Sequence, residues 1–375
     1  MASDIILDSD MTEYLPHNLS FLNDKDSKEN SYLYSTLYFL TNLNLYMQYS
    51  LPESISEIAK NDSMRNNYFK MMKFLGDYIK DNSKKKEEVP DKILQGIEKF
   101  KNDYIKNCIT TFTELKKDPR DLIKYIFAIL LNLQKQENSS IMDNSSNKNN
   151  FLNDIDNSIG IGCENSYAWS NKIENYDDDK YNIFIKGIDK ENNIKYRFSS
   201  FLRFALTEEE KTMDEYFKDY LNKAKDDHMF TNVSKNDLNY GENIYYKFPE
   251  SITILINYGN NEKEPYKCHY NINEILDFTN APYVDPKNIK YKKYYLSSII
   301  VCKFPNEEEN KFYYTYCRKD KNSKFIIYNS KDNQVNEIKD DLIVMKHLKN
   351  QKGDKINRVK SYPYVLVYNA FNDEN

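Results

Sequence analysis

The chain has 375 residues, 40% of them hydrophobic, enough to bury a substantial core in one large domain or two modest ones. Charged residues reach 30% while the net charge is only -5, which indicates neither a broad nucleic-acid footprint nor an acidic tail and leaves polyanion binding open only locally. The 33 tyrosines beside one tryptophan read first as coding bias, and also fit a protein with large contact surfaces.

The first 135 or so residues read as helical. In ENSYLYSTLYFLTNLNLYMQYS, Leu33, Leu37, Leu40 and Leu43 recur at spacings of three and four, a stripe that faces a core. A second stretch, SISEIAKNDSMRNNYFKMMKFLGDYIK, ends at the solvated run SKKKEE. Pro90 opens DKILQGIEKFKNDYIKNCITTFTEL, and Asp118 with Pro119 forms a cap and first-turn pair for RDLIKYIFAILLNLQKQ. Leu122, Ile123, Ile126, Phe127 and Leu130 make one apolar face of that helix.

Residues 137–150 are polar, rich in Ser and Asn and without period, which marks a linker. Beyond it the pattern turns to strands: YNIFIKGI, NIKYRFSSFLRF, ITILINYG, YYLSSIIVCKF, KFYYTYCR, KFIIYN and PYVLVYN, with one helix near EEEKTMDEYFKDYLNKA. Helices first and mainly antiparallel strands afterwards predict an α+β architecture.

The cysteines Cys108, Cys163, Cys268, Cys302 and Cys317 are scattered, without a CxxC pair, so a reducing compartment and no disulfide framework are expected; Cys108, Cys302 and Cys317 read as small core residues. The N-terminal segment shows no basic stretch followed by an apolar core, and no apolar run reaches the roughly 18 residues a membrane helix needs. A cytoplasmic or nuclear protein that does not cross a membrane is the expectation.

Four segments resemble, in order, the boxes of the ubiquitin-specific protease family. ENSYLYSTLYFL resembles the nucleophile box NTCYMNSxLQxL, with Ser31 where the family has its nucleophilic Cys and Tyr32, Leu33, Ser35 and Leu37 at matching positions. KDPRDLIKYIFAIL resembles QDAHEFLxxLLxxL, and PESITILINYG resembles the box of a Pro followed by a strand, without its Arg-Phe ending. KFYYTYC followed by KFIIYNS resembles GHYTAYC and its acidic pair, with Tyr313, Tyr316 and Cys317 matching, Phe312 at the catalytic His position and Asn329 at that of its orienter. PYVLVYN resembles the family's closing strand AYVLFYQ.

The resemblance spans about residues 20–370. It implies a papain-like fold with a helical thumb and an antiparallel palm and fingers sheet: an N-terminal extension over 1–20, then one domain over 21–375, with thumb 21–136, linker 137–150 and palm and fingers 151–375. It also implies an oxyanion donor at Asp26 or, if the loop carries an insertion, at Asn23. Family members often hold zinc in the fingers through two CxxC pairs, of which only Cys163 is a relic here, so no metal and no cofactor are expected.

Cleavage by the family's route needs a thiolate, an imidazole and an orienter. With Ser31 and Phe312 in place, the sequence implies a pseudoenzyme. Three functions follow: a scaffold or binding subunit of a larger complex such as proteasome, splicing or other ribonucleoprotein machinery; a ubiquitin reader without turnover, with Tyr32, Tyr313 and Tyr314 at the slot for the ubiquitin tail; or a weakly active hydrolase using Ser31 with an unrecognised base among His17, His228, His269 and His347. Nucleic acid is suggested only by the basic segment 351–360, which a solvated loop explains equally.

Overall fold

The computed structural model describes residues 30–40, 95–102, 104–105, 117–126, 183–188, 194–199, 201–226, 243–259, 264–303, 311–318, 320–329, 334–337, 344, 347–350 and 361–371. The second helical stretch, the Ser/Asn-rich segment, Asp26, Asn23, Cys108, Cys163 and the basic segment 351–360 lie outside them. Among the described residues no helix is long and apolar enough to cross a membrane, and no group of three or more His, Cys, Asp or Glu could hold a metal ion.

Helix α1 (Ser31–Leu40) buries Leu33, Leu37 and Leu40, as their spacing predicts. It also buries Ser35 and Thr36, whose hydroxyls donate to the Tyr32 carbonyl at 3.1 and 2.7 Å. Bonding back to the preceding turn satisfies these groups without water. Helix α2 (residues 95–102) contributes Ile97 and Phe100, and helix α3 (residues 119–126) contributes Leu122, Ile123 and Ile126. Asp118 caps α3 as expected: its Oδ1 accepts the Arg120 main-chain N–H at 2.9 Å, with Pro119 in the first turn. Tyr104 joins the three helices, 6.1 Å from Tyr32 and edge-on to Tyr125 at 5.2 Å.

Helix α4 (Met213–Asp226) starts with a capping box. Thr212 Oγ1 accepts the Glu215 N–H at 3.3 Å, and Glu215 Oε2 accepts the Thr212 N–H at 2.7 Å. Met213, Tyr216, Phe217, Tyr220 and Leu221 follow at helical spacing and are all buried.

The described strands form three sheets. β1 (Ile183–Ile188) lies between β2 (Ile194–Ser199) and β4 (Ile244–Lys247), and β6 (Tyr270–Asn271) pairs with β12 (Lys349–Asn350). The main sheet runs β11 (Gln334–Glu337), β10 (Ile326–Asn329), β9 (Phe312–Cys317), β8 (Lys293–Lys303), β13 (Ser361–Phe371), β5 (Ser251–Asn257), β3 (Leu202–Ala205), with β7 (Ile275–Asp277) also on β8. The architecture is α+β. One sequence expectation changes, and one strand pair is an exception within the mainly antiparallel pattern. NIKYRFSSFLRF is two strands in separate sheets, divided where Ser199 Oγ donates to the Phe201 carbonyl. And β3 pairs with β5 in parallel, because the connection between them runs through α4 and is long enough for a crossover.

Phe217 sits at the centre of an aromatic cluster, with Phe278, Phe204 and Tyr245 edge-on at 5.1, 5.2 and 5.8 Å. Among the described residues, nine of the ten largest fully buried side chains are tyrosines, so these tyrosines serve the core. Four of these hydroxyls donate to main-chain carbonyls: Tyr245 to Phe217 (3.0 Å), Tyr258 to Pro363 (2.7 Å), Tyr294 to Pro249 (2.8 Å) and Tyr368 to Asn273 (2.6 Å). Because the capping box is the start signal for α4, Thr212→Ala should destabilise the fold by about 1 kcal/mol, read as a lower midpoint in urea unfolding at unchanged slope.

Candidate functional site

The place to look for chemistry is where α1 meets β9. Ser31 opens α1 and is 2% exposed. The main-chain N–H of Tyr313 donates to Ser31 Oγ at 3.3 Å. Four residues further along the helix and two further along the strand, Thr315 Oγ1 donates to the Ser35 carbonyl at 3.0 Å. These two bonds fix the helix on the strand. Ser31 Oγ thereby serves as an acceptor for a buried main-chain N–H of β9.

Side chains alternate along a strand, and the register of β9 on β8 runs without a shift from Phe312 to Cys317. Thr315 faces α1, so Tyr313 and Cys317 share its face, while Phe312, Tyr314 and Tyr316 lie on the other. Ring contacts agree. Phe312 stacks on Tyr314 at 6.4 Å, and Tyr314 is edge-on to Tyr316 at 5.4 Å. Tyr313 instead meets Tyr364 of β13 at 5.7 Å. The residue aimed at the α1 side is thus Tyr313, one position after Phe312. Burial holds the Tyr313 phenol well above its usual range, so it stays protonated at neutral pH.

The three tyrosines assigned from sequence to one slot have different ring partners. Tyr32 turns toward Tyr104, Tyr313 toward Tyr364, and Tyr314 to the far face of the sheet, and all three are buried. Asn329 ends β10 beside β9, with its side chain outside the described set. His347 packs on the far face, its Nε2 3.2 Å from the Tyr316 hydroxyl and its Nδ1 3.4 Å from the Ser361 carbonyl. His269 is anchored elsewhere, its N–H on the Thr207 carbonyl and its carbonyl against the Tyr216 hydroxyl. Among the described residues, neither histidine is placed on the α1 face of β9. His17 and His228 lie outside them.

A second junction lies close by. Asp118 accepts Arg120 Nε at 3.0 Å and Nη2 at 2.6 Å, and Arg120 Nη1 donates to the Ile256 carbonyl of β5 at 2.8 Å. The guanidinium lies 4.1 Å from the centre of the Tyr364 ring, and Lys311 Nζ donates to the Tyr364 hydroxyl at 3.3 Å. One arginine therefore ties α3 to β5 and β13. Burial pushes the Asp118 carboxyl up, but Arg120, by charge and by hydrogen bonds from its side chain and main-chain N–H, holds it below the usual carboxylate range. Sequence reading found Asp118 as a cap and missed this clamp, because Ile256 and Tyr364 are distant in the chain.

The chain matches no protein-family model and no curated protein sequence. Solved structures do resemble it. The SAGA DUB module with a Ubp8 variant, truncated Sgf11, Sus1 and Sgf73 matches at TM-score 0.50 and 12% identity, over 91% of this chain and 67% of that one. The Ubp8–Sgf11–Sgf73–Sus1 module matches at 0.49 and 14%, over 92% and 66%. A yeast module with an Sgf73 mutant matches at 0.47 and 12%, over 92% and 68%. The first of these likenesses defines an α+β fold of the ubiquitin-specific protease kind. This chain spans about two thirds of the length of the chains it matches.

Two outcomes follow from this geometry. Ser31→Ala leaves the Tyr313 N–H buried without this acceptor and should destabilise the protein by about 1–3 kcal/mol, measured by urea unfolding. Asp118 has a depressed folded pKa, so its contribution is present above the ordinary carboxyl value of about 3.9 and is lost as pH falls through the lower folded value. Asp118→Asn should lower stability at pH 7 and flatten the fall in unfolding free energy below about pH 4.

Proposed function

We propose that the protein is a catalytically inactive relative of the ubiquitin-specific proteases that works by binding, as a scaffold subunit of a larger protein assembly. The observation that carries this reading is the engagement of Ser31 Oγ by the Tyr313 N–H on a strand face that presents a protonated phenol where an imidazole would be required. A serine hydroxyl is a poor nucleophile until a base removes its proton. Neither Phe312 nor Tyr313 can do that at neutral pH. Asn329 would be left as an orienter without a ring to orient.

Scaffold is preferred over ubiquitin reader because Ser31 and Tyr313 are packed against each other, at 2% and 3% exposure, where a flexible tail would have to thread. The structural neighbours are themselves assemblies of Ubp8 with Sgf11, Sus1 and Sgf73, which supports protein partners as the class. On this reading residues 21–375 act as one unit, helical over 21–136 and sheet-bearing over 151–375, in the cytoplasm or nucleus.

The test is the reaction of purified wild type and Ser31→Cys with ubiquitin carrying a thiol-directed warhead. Neither should form an adduct, since a thiol at this place gains no imidazole, and wild-type protein from its native source should co-fractionate with a large complex. An adduct with Ser31→Cys at the rate of an active protease would sink the inactive reading. Chemical-shift changes on the apolar face of labelled ubiquitin, without turnover, would replace scaffold by reader.

A further inference from the structure

Tyr266 differs from the other described tyrosines in standing exposed, at 51%, whereas Tyr258 and Tyr270 before and after it in the chain are buried. It lies in a single 3-10 turn (Pro265–Lys267) between β5 and β6. Pro265 presets the start of the turn, and two main-chain bonds close it: the Lys267 N–H donates to the Glu264 carbonyl at 3.0 Å, and the Cys268 N–H to the Pro265 carbonyl at 3.1 Å. Asn350 of β12 anchors it, with Nδ2 donating to the Tyr266 carbonyl at 3.2 Å and also to the Cys268 carbonyl.

On the exposed side, one carboxylate joins two side chains. The Tyr266 hydroxyl donates to Glu264 Oε1 at 2.8 Å, and Lys267 Nζ pairs with Glu264 Oε2. Phenol and ammonium thus converge on one anion in water, where such a pair holds weakly. A phosphate on the Tyr266 oxygen would carry about -1.5 to -2 charges at pH 7, repel the Glu264 carboxylate and offer Lys267 a stronger partner.

An enzyme that modifies a tyrosine needs its hydroxyl accessible and its backbone free to leave the resting shape. Releasing Tyr266 breaks the bonds of one short turn. Releasing a tyrosine of β8, β9 or β13 breaks a sheet ladder.

We propose that Tyr266 is a phosphoacceptor, to which a protein kinase transfers the γ-phosphoryl group of a nucleoside triphosphate. The bond from Tyr266 Oη to phosphorus forms as the bond from phosphorus to the leaving nucleoside diphosphate breaks, and the phenolic proton passes to the base of the kinase. Lys267 then changes partner from Glu264 to the phosphate. The proposal rests on the turn and its exposure, and does not depend on the scaffold reading.

The test is incubation of the full chain with a broad-specificity tyrosine kinase and ATP, followed by peptide mapping by mass spectrometry. Phosphate is expected on Tyr266 at least about tenfold faster than on the buried controls Tyr270 and Tyr362, which need larger openings. Tyr266→Phe should fold normally by circular dichroism and lose that modification. Protein isolated from its native source with phosphatase inhibitors should carry it too. In the phosphorylated protein, Lys267→Gln should raise the second pKa of the phosphate, followed by phosphorus NMR, because a neighbouring cation favours the dianion. An unmodified Tyr266 in either sample, equal rates at the buried tyrosines, or a phosphate pKa indifferent to Lys267→Gln would overturn the proposal. The warhead experiment at Ser31 is unaffected by any of these results, so the two readings fail separately.

Discussion

The pairing of β8 with β13 is the constraint on which the other elements depend. Both strands are eleven residues long, and they pair antiparallel from Ser361 opposite Lys303 to Phe371 opposite Lys293. Nearly every residue of both is buried, on both faces of the sheet. Each large apolar side chain so buried is worth about 1.5–3 kcal/mol. The ladder is not uniform. Its register shifts next to Pro363, which has no N–H to give, and again between Val367 and Tyr368. From this pair β5 and β3 extend the sheet one way, and β9 and β10 extend it the other.

That order decides the site. β9 presents alternate residues to α1 and to the far face, and the bonds from Tyr313 to Ser31 and from Thr315 to Ser35 set which residues go where. A one-residue difference along a strand reverses the face, so matching Phe312 to a catalytic position by sequence and matching Tyr313 to it by geometry are different statements about chemistry. Both give a side chain unable to accept a proton at neutral pH. The buried Ser31 hydroxyl accepts the main-chain N–H of Tyr313 and so ties α1 to β9.

Tyrosine carries much of the packing. A protein interior built from Tyr must find partners for many hydroxyls, and here several end on carbonyls at strand ends or in loops, such as those of Pro249, Asn273 and Pro363. These bonds link positions from 45 to 105 residues apart, so the aromatic surplus also pins the connections. Arg120 does the same between helices and sheet, with its guanidinium on Tyr364 and one N–H on Ile256.

The sequence alone determined what depends on local pattern: the apolar stripe of α1, the Asp118–Pro119 start of α3, the central strands, burial of Cys302 and Cys317, and the helix that Thr212 and Glu215 cap. Each follows from spacing or from a side chain bonding within a few residues. Tertiary structure alone decided what depends on register and crossing: the split of NIKYRFSSFLRF between two sheets, the parallel β3–β5 pair, the face on which Tyr313 lies, and the meeting of Lys117, Arg203 and Lys311 in one cavity. Strand pairing joins residues far apart in the chain, such as Leu202 with Ile254, and the period-two pattern of a strand says that its faces differ without saying which face meets a given helix.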